Sequence, residues 1–160
     1  MPMIDLYVPE GALSPEAERD LAERITTLML KAEGAWPADE DVLAGSWALV
    51  HHAQVYAGGA PAAEPRYRVD AFAPQGLISD PEVRERLVAD ITEAVLDAEG
   101  PDRPRDPSRV FVFPLEIPER RWGWGWGGRL IGLEDVLTLV TGDAEQARET
   151  TRERLAGQGR

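Results

Sequence analysis

The sequence predicts an α/β (α+β) chain in which two tandem β-α-β units share a four-stranded mixed sheet with two helices on one face. Three observations carry this expectation. Ile4, Leu6 and Val8 alternate with Asp5 and Tyr7, the period of a half-buried strand. A proline-started amphipathic helix follows. The same arrangement then begins again about 65 residues later, which marks a duplicated unit.

Taken in order, the first strand stops at Pro9-Glu10-Gly11. Ser14-Pro15-Glu16 supplies an N-cap, a proline at the first helical position and an acid in the first turn. Ala17, Leu21, Ile25, Leu28 and Ala32 recur at three- and four-residue steps and line one helix face. Gly34 is placed to end that helix. Trp36-Pro37 opens a loop in which Asp39, Glu40 and Asp41 read as a solvated acidic stretch. A second strand is expected around Ser46 to Tyr56, where Trp47, Leu49, Val50 and Val55 concentrate. Gly58 to Pro65 has the composition of a linker.

The second unit repeats the first. Val8-Pro9-Glu10-Gly11 matches Ala73-Pro74-Gln75-Gly76. Pro15-Glu16 matches Pro81-Glu82, and Ala32-Glu33-Gly34 matches Ala98-Glu99-Gly100. Val83, Leu87, Ile91, Val95 and Ala98 form its apolar stripe, and Arg109 to Ile117 closes the unit as a strand. A ribbon alternating Trp122, Trp124 and Trp126 with glycines follows, and Leu130 to Val140 reads as a short helix or strand. The expected organisation is one domain over residues 2–140, built from repeats at 2–58 and 66–128, with a charged C-terminal tail at 141–160. The sheet face away from the helices would be bare and apolar, and closed oligomerisation is the usual remedy.

Composition narrows the chemistry. A net charge of −12 argues against nucleic-acid binding. No apolar run reaches the length of a membrane span, and no signal sequence is read at the start, so the expected location is cytoplasmic. The absence of cysteine excludes disulfides and thiolate chemistry. His51 and His52 are adjacent rather than spaced for joint ligation, so structural roles are expected and neither a metal nor another cofactor is. As neighbours on a strand, the two histidines would face opposite sides of the sheet.

Pro2 directly follows Met1 at the tip of the first strand. A penultimate proline favours methionine removal, which would leave a secondary amine anchored in a sheet. Together with Glu10-Gly11, the Pro15 helix and the duplicated unit, this resembles the tautomerase superfamily, which includes 4-oxalocrotonate tautomerase, the macrophage migration inhibitory factors, the 3-chloroacrylic acid dehalogenases and malonate semialdehyde decarboxylase. The resemblance covers roughly Pro2 to Val140, including the aromatic-glycine segment. It implies a homotrimer of fused pairs and a catalytic Pro2 acting on a small carbonyl or carboxylate substrate. An amine whose pKa is lowered by an apolar pocket or nearby cations is a general base, able to move a proton α to a carbonyl. Tyr67 stands where the second unit would have its proline, so three active sites per trimer are expected rather than six.

The resemblance also implies arginines after the Glu-Gly turn and on the second strand. Those positions hold Ala12 and Leu77 at the turns, and Trp47 and Phe111 on the strands. Arg109 and Arg121 are the expected substitutes, with Trp47, Phe111, Trp122 and Trp124 completing the substrate-binding set. Arg66 and Arg68 read as surface or interface charges, and Arg129 as a helix cap or a partner of carboxylates. The leading expectation is a tautomerase-like isomerase. A dehalogenase- or decarboxylase-type lyase on a three-carbon acid, or a catalytically silent binding or assembly member of the family, are the alternatives.

Overall fold

The computed structural model describes residues 1–125 and 127–157. Strand β1 (Met3–Pro9) buries Ile4, Leu6 and Val8 on one face and leaves Met3, Asp5 and Tyr7 half-buried on the other. Helix α1 (Pro15–Glu33) starts where Ser14 Oγ accepts the Ala17 amide hydrogen at 3.2 Å. It stops at Gly34, whose φ of 75° suits a residue without Cβ. Leu21, Ile25 and Met29 are buried against the sheet, each contributing about 1.5–3 kcal/mol of hydrophobic stabilisation.

The short helix α2 (Glu40–Ala44) occupies the stretch expected as an acidic loop. Asp39 caps it by accepting the Val42 amide hydrogen at 2.9 Å, and Val42 turns inward. Three polar residues thus conceal a helix start. Strand β2 (Trp47–Ala53) is shorter than expected, because a two-residue hairpin of β3 (Tyr56–Ala57) and β4 (Ala60–Pro61) takes over the chain beyond it. Strand β5 (Tyr67–Pro74), helix α3 (Pro81–Ala98) and strand β6 (Val110–Ile117) then repeat the β-α-β course.

The main sheet has the order β2-β1-β5-β6. β1 and β2 are parallel, β5 and β6 are parallel, and the two units meet antiparallel at β1 and β5. Each parallel pair is joined by a helical crossover, as parallel strands require. Both long helices pack on one face, over Ile4, Leu6 and Val8 of β1 and Val69, Ala71 and Ala73 of β5. Beyond β6 come β7 (Trp122–Trp124), β8 (Arg129–Ile131), α4 (Leu133–Thr141) and α5 (Ala144–Ala156). A Cβ added to Gly123 would meet the Arg129 carbonyl oxygen at 2.8 Å, so the glycine between the tryptophans permits the β7–β8 pairing. The charged C-terminal stretch forms a helix because its small residues Ala147 and Thr151 turn inward.

The outer sheet face is layered by register. Trp47, Met3, Phe72 and Leu115 form one row, Leu49, Asp5, Asp70 and Phe113 the next, and His51, Tyr7, Arg68 and Phe111 the third. Its flanks are apolar, with Leu49, Phe111, Phe113 and Leu115 exposed. Its middle carries polar pairs, an Arg68–Asp70 salt bridge through Nε at 2.8 Å and a hydrogen bond between His51 Nε2 and Asp5 at 2.6 Å. His52 lies on the helix side but at the edge strand, where it meets Glu18 at 2.8 Å instead of entering the core.

Helix α3 ends beside a buried ion pair. Glu99 is gripped by both Arg109 guanidinium nitrogens and accepts the Tyr67 hydroxyl at 2.9 Å. Burial alone would raise the Glu99 carboxyl pKa, but the hydrogen bonds from Arg109 and Tyr67 outweigh it and hold the group below its ordinary 4.5. A depressed folded-state pKa means stability present above that ordinary value and lost as pH falls through the folded one. Glu99→Gln should therefore cost about 3–5 kcal/mol at neutral pH. The gap from wild type should shrink in acid below pH 4.5, as read by urea denaturation at both conditions.

Candidate functional site

The site is built around the first residues of β1. Pro2 is buried, and its carbonyl accepts the Trp47 amide hydrogen at 3.1 Å, which ties it to the start of β2. The Met1 ammonium donates to Glu33 Oε2 at 2.8 Å, and both groups are almost wholly enclosed. Glu33 ends α1, so the helix delivers a carboxylate to the tip of the neighbouring strand. Burial raises the Glu33 pKa, and the ammonium works against that rise. The other carboxylate oxygen, Oε1, has no hydrogen-bond partner among the described residues.

The Met1 side chain packs with Leu30 and Val42, flanked by Ala35, Ala38, Trp124 and Val140. A methyl group built on Gly45 would overlap Met1 Sδ. Beside it opens a cavity of about 450 Å³, walled mainly by Met3, Trp47, Phe72, Ile117, Trp122 and Trp124. Asp5 is the one charged residue among its described lining. Met1 also lines two adjoining cavities, of about 180 Å³ toward α5 and about 460 Å³ toward α4. It stands where the three meet.

No family model matches the sequence, and no curated protein does. Solved structures do match in shape. The structure of Pt0534 inactivated by 2-oxo-3-pentynoate superposes with a TM-score of 0.63 and 22% identity, over 80% of this chain and 95% of that one. N1, a member of the cis-3-chloroacrylic acid dehalogenase family, gives a TM-score of 0.62 at 17% identity, over 93% and 98%. The symmetric trimer of wild-type fused 4-OT gives 0.59 at 19%, over 81% and 94%. The chain shares the fold of these proteins.

Within that fold, the residues expected at the site separate into two groups. Trp47, Trp122 and Trp124 converge on the cavity beside Met1. Arg109 and Phe111 do not. Phe111 pairs with Arg68 at the start of β5, Arg109 directly precedes Val110, the partner of Tyr67, and Arg68 lies across from Tyr7, so both sit toward the far end of β1 from Pro2. Arg109 is only 3% exposed, and besides Glu99 it donates to the Pro65 and Pro104 carbonyls. A guanidinium engaged this way inside the chain lies outside the residues that line this cavity. Phe111 projects from the outer face with 68% exposure, away from the cavity within one chain. Arg121 is exposed just before Trp122 and outside the residues that line the cavity. Trp126, left without a role by the sequence, lies outside the described residues.

Two features of the site went unread in the sequence. Gly45 mattered only as a C-cap of an unexpected helix. Glu33 appeared in the Ala-Glu-Gly repeat, but as part of a helix terminator. At the turn, where an arginine was expected, Leu77 is buried in the core and Ala12 is half-buried. Gly45→Ala keeps an ordinary backbone conformation, since φ is −85°. Its methyl should compete with Met1 for one space, destabilising the Met1-containing chain by about 1–3 kcal/mol. The chain beginning at Pro2 should be unaffected; matched thermal denaturation of the two forms checks this.

Proposed function

We propose that this chain, once Met1 is removed, is a tautomerase-like isomerase in which Pro2 transfers a proton between the keto and enol forms of a small carbonyl compound. The observation that carries this reading is the position of Pro2. It is buried, pinned by its carbonyl to β2, and flanked by Met1 and Met3, which line a tryptophan-walled cavity of about 450 Å³. Removal of Met1 would expose a secondary amine there and empty the apolar space its side chain fills. Trp47, Trp122 and Trp124 would wall off water, and apolar surroundings disfavour the ammonium form. The base takes a proton from the α-carbon, the C–H electrons move into the enolate, and the proton returns to oxygen or carbon.

The lining also bears on the substrate. No arginine or lysine is among the described residues of this cavity, so a dicarboxylate clamp is absent within one chain. A monofunctional keto acid or an uncharged carbonyl compound with an apolar arm suits the space better. Arg121, adjoining Trp122, is the candidate partner for a single carboxylate.

The chain beginning at Pro2 should take one adduct from 2-oxo-3-pentynoate, the compound that inactivated Pt0534, and intact mass with peptide mapping should place it on Pro2. Pro2→Ala should lower turnover of phenylenolpyruvate by about 10²-fold or more; unchanged turnover would refute the proposal. A second reading, a silent ligand-binding or assembly member, is favoured by one observation, that Met1 fills the site. Retention of Met1 in purified protein would select it.

We also propose a homotrimer, the state of the fused 4-OT neighbour. The support is the bare outer face, with Leu49, Phe111, Phe113 and Leu115 exposed on its flanks. Light scattering should give three times 17.6 kDa, and Leu115→Glu should shift the mass toward the monomer without unfolding the helices.

A further inference from the structure

The internal duplication brings one acid to equivalent places in both units. Glu33 and Glu99 occupy the same position in the Ala-Glu-Gly repeat, and Pro2 and Tyr67 occupy the same position at the start of the paired strands. In the second unit this geometry is complete within the chain, with the Tyr67 hydroxyl donating to Glu99 at 2.9 Å. In the first unit Glu33 instead receives the Met1 ammonium at 2.8 Å. Covalent geometry limits the Met1 and Pro2 nitrogens to about 3.7 Å apart, so the Pro2 nitrogen lies within about 6.5 Å of Glu33 Oε2 before any movement. Glu33 is buried, and its second oxygen is unpartnered among the described residues.

Building on the proposed proline chemistry, we propose that Glu33 is the positioning residue for the Pro2 amine. When Met1 leaves, Glu33 accepts a hydrogen bond from the new terminus, as Glu99 does from Tyr67. It thereby orients the amine and sets how readily that amine gives up its proton. Without such a partner the emptied site would leave a carboxylate buried alone, an arrangement that proteins avoid.

The charges around the pair are few. Arg154 of α5 lines the cavity beside Glu33 and favours its carboxylate. Asp5 faces the tryptophan cavity. Arg129, Glu134 and Asp135 line the cavity toward α4, with Arg129 bound to Asp135 at 2.8 Å. The α4 residues beside Glu33 are the apolar Val136, Leu137 and Val140, with Thr141 at the helix end.

The sign follows from charge. A carboxylate beside the amine stabilises the ammonium and raises the Pro2 pKa, opposing the apolar walls. The two groups would titrate as a coupled pair, with the proton on nitrogen or on oxygen. In the isomerisation, the proton that Pro2 takes from the α-carbon would be held on nitrogen against Glu33 until it returns to the substrate. No co-reactant is needed.

The test uses the chain beginning at Pro2, in wild-type, Glu33→Gln and Glu33→Asp forms. Two readings are taken against pH, the rate of 2-oxo-3-pentynoate adduct formation and the ¹⁵N shift of labelled Pro2. Glu33→Gln should move both midpoints down by about one unit, a tenfold change in the neutral fraction at low pH. Glu33→Asp should lie near wild type. Equal midpoints in wild type and Glu33→Gln would overturn the proposal while leaving proline catalysis intact. A shifted ¹⁵N midpoint with no adduct at any pH would support the Glu33 assignment and defeat the catalytic reading instead. If the glutamine variant does not fold, the wild-type ¹³C-carboxyl titration of Glu33 decides. A step shared with the Pro2 ¹⁵N signal supports the pair, and independent steps refute it.

Discussion

An ammonium taken out of water needs a counter-charge within hydrogen-bond reach, and here the end of α1 provides it. Glu33 closes on the first nitrogen of the chain at 2.8 Å. That contact turns a terminus, usually the loosest part of a protein, into a fixed element of the core. The tryptophan cavity has a defined floor because the chain start cannot fray. The start cannot fray because β1 is hydrogen-bonded into the middle of the sheet and its first atom is neutralised. Helix and strand therefore cooperate to place one nitrogen, and the order β2-β1-β5-β6 puts that strand inside the sheet rather than at its edge.

The two units have diverged around a shared framework. Each carries a proline-started helix, a parallel strand pair and a glutamate at the helix end. In the second unit the glutamate is saturated by Arg109 and Tyr67, and the place is closed. In the first it accepts from the chain terminus, and Trp122 and Trp124 arrive from beyond β6 to wall a cavity beside Met1. Equivalent places in the repeat thus hold the Glu99–Arg109 ion pair in one unit and the Glu33–Met1 contact in the other. The difference lies in the residue at the strand start, a tyrosine inside the chain in one case and a proline next to the terminus in the other.

The outer sheet face shows a comparable division. Aromatic and aliphatic side chains lie on β2 and β6, while Asp5, Asp70, Arg68 and His51 pair with one another through the middle. Polar pairs in such a position are partly desolvated even in a single chain. Covering them would cost more unless they stay mutually satisfied, and the 2.6–2.8 Å contacts keep them so.

Much of this was legible in the residues alone. Period-two alternation at Ile4, Leu6 and Val8, the Ser14-Pro15 start, the Gly34 stop and their recurrence define strands, helices and pairing, because these depend on local stereochemistry and on which face is apolar. Pro2 was legible for the same reason, since its importance comes from covalent position. The partners of charged groups were not. Arg109 sits next to the strand where an arginine was expected, but only the packed structure shows Glu99 reaching it across the end of α3. Glu33 read as part of a helix stop until the fold carried it to Met1. Electrostatic partnership depends on distances of a few ångströms between residues far apart in sequence, and such distances exist only once the layers have packed.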